Sequence, residues 1–236
     1  MNSLSVSTPE ATSGQAGYDF GRAREAMVEQ QVRPWDVLDL RVLDVLSVLP
    51  REAFVAEPYR ALAYADVPLP IGHGELMFKP VVEGRMLQAL ALLPGDEVLE
   101  VGTGSGWISA CLGQLAGDVL SLELRADLAA GARARLDATG LGSNVGIEVA
   151  DALQYETTRR FDAICVTGAV TSIPQRFVHW LRPGGRLFVV HGQAPAMEAV
   201  LVHREGADVN ATRTESLFET DIPYLAGAAP VPQFHW

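Results

Sequence analysis

Val98-Leu99-Glu100-Val101-Gly102-Thr103-Gly104-Ser105-Gly106 reads as a buried strand with an acid near its end, three glycines at every second position, and then the start of a helix. Glycines at that spacing let the backbone turn sharply and approach a ligand more closely than any Cβ would allow. A second apolar run, Asp118 to Leu122, ends at Glu123, at the distance from Gly102 expected of a ribose-binding acid. A carboxylate there accepts hydrogen bonds from both ribose hydroxyls, so the glycines and the acid together specify a ligand containing a nucleoside.

Outward from this stretch the chain alternates. Strands are predicted at Glu97–Val101, Val119–Glu123, Val145–Val149 (closing at Asp151), Ala163–Thr167 and Arg186–Val190. Helices are predicted at Trp107–Leu115, Leu128–Ala138 and Gln175–Leu181, and Pro183-Gly184-Gly185 reads as a turn. Strands that are apolar throughout, separated by helices, mean an α/β fold: a doubly wound, mainly parallel Rossmann-like sheet with helices on both faces. Glu198–His203 and Thr212–Glu219 have no helix between them and form an antiparallel edge at the C-terminal side.

Ahead of the glycine strand lies a helical cap. One helix runs from Phe20 to Val32 and is stopped by Pro34. A second runs from Leu38 to Val48 and buries Leu40, Leu43, Val45, Leu46 and Leu49. A short third carries Phe54 inwards, and a fourth spans Val81 to Leu93. Residues 57–80 hold Pro58, Pro68, Pro70, Gly72, Gly74 and Pro80, an irregular segment of the length that tends to be functional, and the main candidate for substrate contact. The expected organisation is a disordered leader (1–17) and a single domain (18–221), followed by a tail (222–236) that folds back on the surface. Within the domain, 18–80 form the cap and substrate loop and 81–221 the cofactor-binding core.

A formal net charge of −11 opposes a broad contact with phosphate backbones, so no nucleic-acid partner is expected. The leader has no basic start and no apolar core, and no apolar run is long enough to span a bilayer. A soluble, cytoplasmic protein without a membrane partner is expected. Cys111 and Cys165 sit in apolar segments and read as inert buried thiols. His73, His179, His191, His203 and His235 are scattered, so no metal site is expected. Trp35, Tyr224 and Trp236 are single aromatics that could serve an interface, and the sequence leaves the oligomeric state open.

Position 107 is Trp, which makes the motif G-x-G-x-G rather than the G-x-G-x-x-G of dinucleotide enzymes and points to S-adenosylmethionine instead of a nicotinamide. In an open parallel sheet, ligands bind at the carboxyl ends of the strands where the strand order reverses. The cofactor-binding set is therefore Gly102, Thr103, Gly104, Ser105 and Gly106; Glu123 with Leu124; Asp151 with Ala152, facing an adenine amino group; and Thr167, beside Gly168. Glu100 lies close by and is expected to meet the methionine ammonium.

With those residues placed, the chain resembles the protein-L-isoaspartate (D-aspartate) O-methyltransferase family from about Met27 to Gly192. Leu49-Pro50-Arg51-Glu52-Ala53-Phe54-Val55 is similar to the family's V-P-R-E-x-F-V. Pro68-Leu69-Pro70-Ile71-Gly72-His73-Gly74 is similar to its L-P-I-G-x-G loop, and Phe161-Asp162-Ala163-Ile164, with Val166-Thr167 and Ile173-Pro174, to its F-D-A-I-x-V-T and following I-P. The resemblance implies S-adenosylmethionine as donor and repair of damaged proteins by methylating the side-chain carboxylate of isoaspartyl residues. It makes Ile71, Gly72, His73, Gly74, Met77, Phe78 and Lys79 the substrate loop.

The loop also departs from the family. After P-I-G-x-G the family reads Q-T-I-S-Q-P, whereas this chain reads Glu75-Leu76-Met77-Phe78-Lys79-Pro80. Leu76 replaces the Thr, and Phe78 replaces the Ser assigned to the substrate side, so no catalytic residue is named. A lost hydroxyl contact to a charged acceptor is worth about 1–3 kcal/mol, or roughly one to two decades in rate. Lys79 or His73 is a possible replacement donor. Two alternatives stay open beside isoaspartyl transfer: a methyltransferase with a different acceptor, and a non-catalytic scaffold that binds S-adenosylmethionine. A nicotinamide-dependent dehydrogenase is disfavoured by the glycine spacing and by the lack of a Tyr-x-x-x-Lys or His proton donor.

Overall fold

The computed structural model describes residues 18–208 and 210–230. The expected disordered leader and Trp236 lie outside the described residues. The central sheet holds β3 (Glu97–Val101), β4 (Asp118–Glu123), β5 (Val145–Val149), β6 (Phe161–Val170), β7 (Leu181–Gln193), β8 (Ala196–Arg204) and β9 (Thr212–Thr220), in the order β5-β4-β3-β6-β7-β8-β9. Pairs from β5 to β7 are parallel, and β8 and β9 add antiparallel. The chain steps outward from β3 to β5 and then crosses back to β6, so the order reverses between β3 and β6.

Strand pleating sorts the core into two layers. Val98, Val119, Ala163, Cys165, Phe188 and Val190 join one cluster with α2 (Leu40–Val48), α3 (Pro80–Leu90) and α4 (Trp107–Leu115). Leu99, Val101, Leu120, Leu122, Ile164, Val166, Leu187 and Val189 form the other, covered by Phe177 of the short α6 (Gln175–His179) and by Trp180. The helical cover is uneven. On the second face, part of it comes from the irregular segment around Leu153 and Tyr155 and from Leu225.

The cap begins with α1 (Phe20–Met27), whose Asp19 side chain accepts from Arg22 N. The predicted first helix does not continue as α to Val32. It passes into a π turn, Val28–Val32, and a 3-10 turn, Arg33–Trp35, that contains Pro34. Asp39 caps α2 by accepting from Arg41 N at 2.8 Å, which makes Leu40 the first helical residue and turns it outward, 73% exposed, contrary to expectation. Likewise α3 ends at Leu90 because Ala91 takes a left-handed conformation (φ 43°), so Leu92 is buried and Leu93 exposed. The proline-rich segment resolves into a 3-10 turn, Glu57–Leu62, and a small hairpin of β1 (Leu69–Gly72) and β2 (Glu75–Met77). Pro183-Gly184-Gly185 does not separate two elements. It is a bulge inside β7, where the register jumps from Leu181 opposite Phe161 to Arg186 opposite Ala163. The described part of the tail adds to the sheet end: Leu225 N donates to Ala169 O, and Ala169 N to Pro223 O, both at 2.8 Å.

Arg41 ties the cap to the helices beneath the glycine turn, donating to Leu92 O at 2.6 Å, just past the end of α3, and to Leu115 O at 3.0 Å, the last residue of α4. Arg41→Ala is expected to lower unfolding stability by about 1.5 kcal/mol, the low end for bonds from a charged donor, because the residue keeps part of its hydration. Urea denaturation measures this, and an unchanged midpoint would show that the tie contributes nothing.

Candidate functional site

A cleft opens at the carboxyl ends of β3, β4 and β6, beside the order reversal. Its floor is the glycine turn. Gly102 has φ +96°, and a Cβ there would lie 2.4 Å from Thr167 Oγ1. Thr167 holds the turn by donating to Val101 O at 3.0 Å and Gly102 O at 2.5 Å, bridging β3 and β6 where their ends separate. The N-cap of α4 is Gly106 in the left-handed region, and the first helical amide, Trp107 N, donates to Ser105 Oγ at 3.2 Å.

Glu123 ends β4 with both carboxylate oxygens in place. Oε2 accepts from Gly104 N at 2.8 Å and Oε1 from Arg125 N at 2.9 Å. Each oxygen keeps acceptor capacity for a hydroxyl in the cleft. Asp151 follows β5 and accepts from Leu153 N at 2.9 Å. Gly102, Thr103, Gly104, Ser105, Glu123, Leu124, Asp151, Ala152 and Thr167 all line this one cleft. Gly106 stays behind it, packed against Ala132.

Glu100 is a correction. Within β3 it shares the face of Val98, the side covered by α4, and so cannot reach the cleft. It is fully buried, and its Oε2 accepts from Ser109 of α4 and from Ser121 of β4, the latter at 2.5 Å. Ser121 Oγ lies 2.6 Å from Thr103 Oγ1, so the acid supports the glycine turn from below. Burial without a counter-charge pushes its carboxyl up to about 8, against the pull of the two serine hydroxyls.

The hairpin forms the opposite wall. Ile71, Met77 and Phe78 line the cleft as expected; Gly72, His73, Gly74 and Lys79 do not. His73, at the hairpin tip, lies with Nε2 2.7 Å from Asp127 Oδ2, a contact that holds the Asp127 carboxyl below its usual range. The exposed Lys79 is the N-cap position of α3. Neither is placed to replace the missing hydroxyls. Phe78 is buried, its carbonyl held by Arg51 Nη2 at 2.7 Å.

Sequence reasoning missed several lining residues. Glu83, Trp107 and Ile108 read as ordinary helix positions and enter the wall because α3 and α4 start at it. Pro223, Tyr224, Leu225 and Ala226 cross the cleft, although the tail was expected on the surface. Tyr224 Oη donates to Gly192 O and accepts from Ala194 N, both at 3.1 Å, and Leu225 packs on Gly168. The small residues Gly168 and Ala169 were the legible signal of a close approach.

The family model described as protein-L-isoaspartate(D-aspartate) O-methyltransferase matches residues 22–218. The chain belongs to that family. It is 39% identical over 198 residues to a protein-L-isoaspartate O-methyltransferase of Koribacter versatilis, covering 84% of this chain and 87% of the relative. It is 40% identical over 220 residues to one of Methanoculleus marisnigri, covering 91% and 94%. Among solved structures, a Plasmodium falciparum chain described as a protein-L-isoaspartate O-methyltransferase in complex with S-adenosyl-L-homocysteine superposes with a TM-score of 0.73. It covers 89% of this chain and 99% of that one at 19% identity, a likeness of fold. The family is one of S-adenosylmethionine-dependent methyltransferases, and the cleft fits that donor: Gly102, Thr103, Gly104 and Ser105 line it, and both Glu123 oxygens keep acceptor capacity beside them.

Folded protein holds the Glu100 proton more tightly than unfolded chain does. Between the ordinary carboxylate range and pH 8 the unfolded state therefore binds fewer protons, and this group lowers stability as pH rises through that window. Each unit of pKa difference corresponds to about 1.4 kcal/mol. Glu100→Gln keeps the shape without titrating. Denaturation at pH 5.5 and pH 8 should show the wild type losing more stability on the alkaline side than the variant; equal losses would exclude a buried neutral acid.

Proposed function

We propose that this cleft transfers a methyl group from S-adenosylmethionine to the side-chain carboxylate of an isoaspartyl residue in a protein or peptide, the substrate that its relatives' names state. The observation that carries the reading is the convergence of Gly102–Ser105, Glu123, Asp151 and Thr167 on one cleft, with the hairpin as its far wall. Glu123 holds the ribose, Leu124, Asp151 and Ala152 the adenine side, and the glycine turn the methionine side. When bound, the donor supplies an electrophilic methyl on a sulfonium. An acceptor carboxylate is already ionised at neutral pH and needs no base, and among the described residues no histidine lines the cleft. The protein's part is alignment and exclusion of water, which accounts for roughly 7–11 kcal/mol of barrier in well-oriented reactions. Leu225 and Tyr224 close one side, and Phe78 and Trp107 the other. Two free buried thiols, Cys111 and Cys165, support a cytoplasmic setting.

A second reading, a different acceptor, is favoured by the hairpin wall. Leu76 and Phe78 stand where the family carries hydroxyls, and the acidic and basic residues lining the cleft are Glu75, Glu83, Glu123 and Asp151 against Arg125. An anionic acceptor gains little from such a lining.

Calorimetric titration should show that S-adenosylmethionine and S-adenosylhomocysteine bind; absence of binding would overturn the donor assignment. Transfer of radiolabelled methyl to an isoaspartyl peptide tests the acceptor. Phe78→Ser is expected to raise that transfer by about one to two decades by restoring an orienting hydroxyl. Labelling of an extract component with none of the isoaspartyl peptide, before and after the substitution, would decide for the second reading.

A further inference from the structure

Donor and acceptor must be held in line, with the reacting atoms about 3–3.5 Å apart. Whatever fixes the acceptor wall relative to the glycine turn therefore acts on the rate. Here one buried guanidinium joins the two. Arg51, on the 3-10 turn Arg51–Phe54, has no exposed surface. Its Nη2 donates to Phe78 O and to Glu83 Oε1, each at 2.7 Å, and its Nε donates to Glu83 Oε2 at 3.0 Å. Nη1 donates to Ala63 O. Glu83 Oε2 accepts once more, from Trp107 Nε1 at 2.8 Å.

Trp107 is the first residue of α4, directly after Gly106. One side chain thus grips the end of the hairpin wall and, through a single carboxylate, the residue that follows the donor-side turn. Phe78, Glu83 and Trp107 all line the cleft, whereas Arg51 stands behind them. A guanidinium is a planar fork that fixes its acceptors in direction as well as distance, which a lysine ammonium does not.

We infer that Arg51 is a positioning residue for methyl transfer, setting the separation between the acceptor wall at Phe78 and the donor turn through the Glu83–Trp107 link. The inference rests on the methyl-transfer reading above. Arg51→Lys keeps a cation beside Glu83, so no buried carboxylate is stranded, but it cannot span Phe78 O, Ala63 O and both oxygens of Glu83.

The expected result for Arg51→Lys is a kcat at least about tenfold lower with donor Kd within about twofold, the pattern of lost alignment with intact binding. Hydrogen exchange with S-adenosylhomocysteine bound should be faster at amides 75–79 and unchanged at 102–106. A kcat that is unaltered, or that falls only in step with donor affinity, would overturn the inference, as would unchanged exchange at 75–79. Should Arg51→Lys fail to fold, the double variant Arg51→Met with Glu83→Gln removes both buried charges together and is read in the same way. If the wild type leaves isoaspartyl peptides unmethylated, the acceptor reading fails by itself, and exchange at 75–79 still decides the role of Arg51.

Discussion

An ion pair with neither partner exposed is costly to assemble and often no more stabilising than apolar side chains of the same volume. What the Arg51–Glu83 pair supplies is direction. A buried guanidinium needs acceptors in its own plane. In this fold they come from Ala63, Phe78 and Glu83, which lie at the C-cap of a 3-10 turn, at the hairpin end and in α3. Trp107 closes the set from α4, and Phe54 packs beside it with the rings tilted and their centroids 5.7 Å apart. The N-terminal cap is consequently a wall of the cleft, oriented against the sheet by bonds that tolerate one arrangement.

The sheet contributes the other constraint. Reversal of strand order between β3 and β6 leaves their carboxyl ends apart, and the chain must bridge that gap with backbone polar groups satisfied. Thr167 does so from β6, while the Ile222–Ala228 segment satisfies the end of β6 beyond it, bonding to Ala169 and Thr171, with Tyr224 reaching Gly192 of β7. The strand-end side of the cleft is thereby polar and anchored by main-chain bonds, while the facing side is built from Ile71, Leu76, Phe78 and Leu225. Such a division suits a reaction in which the protein orients two reactants and supplies no proton.

Much of this was legible along the chain, for physical reasons. Parallel strands buried on both faces must be apolar throughout, so β3, β4 and β6 announce themselves; the glycine spacing marks a tight turn at the end of β3, and Glu123 a carboxylate at the end of β4 beside it. Glu100 shows the limit. Its distance from Gly102 is that of a ligand-facing acid, but the period of two along β3 turns it towards Ser109 and away from the cleft. His73 and Lys79 are comparable: loop membership is visible in the sequence, whereas the side of the loop that each side chain occupies depends on α5 (Ala126–Thr139) and α3.

The sequence by itself determined the doubly wound sheet, the antiparallel edge, the helical cap, the glycines and acids at the strand ends and the apolar residues of the hairpin, because periodicity, glycine spacing and residue type are local properties. Only the tertiary structure decided that Glu100 is a buried internal support, that Arg51 couples the cap to the cleft across 32 residues of chain to Glu83, and that the tail lines the site. Those contacts join segments remote in sequence, and their geometry exists only once burial has brought the segments together.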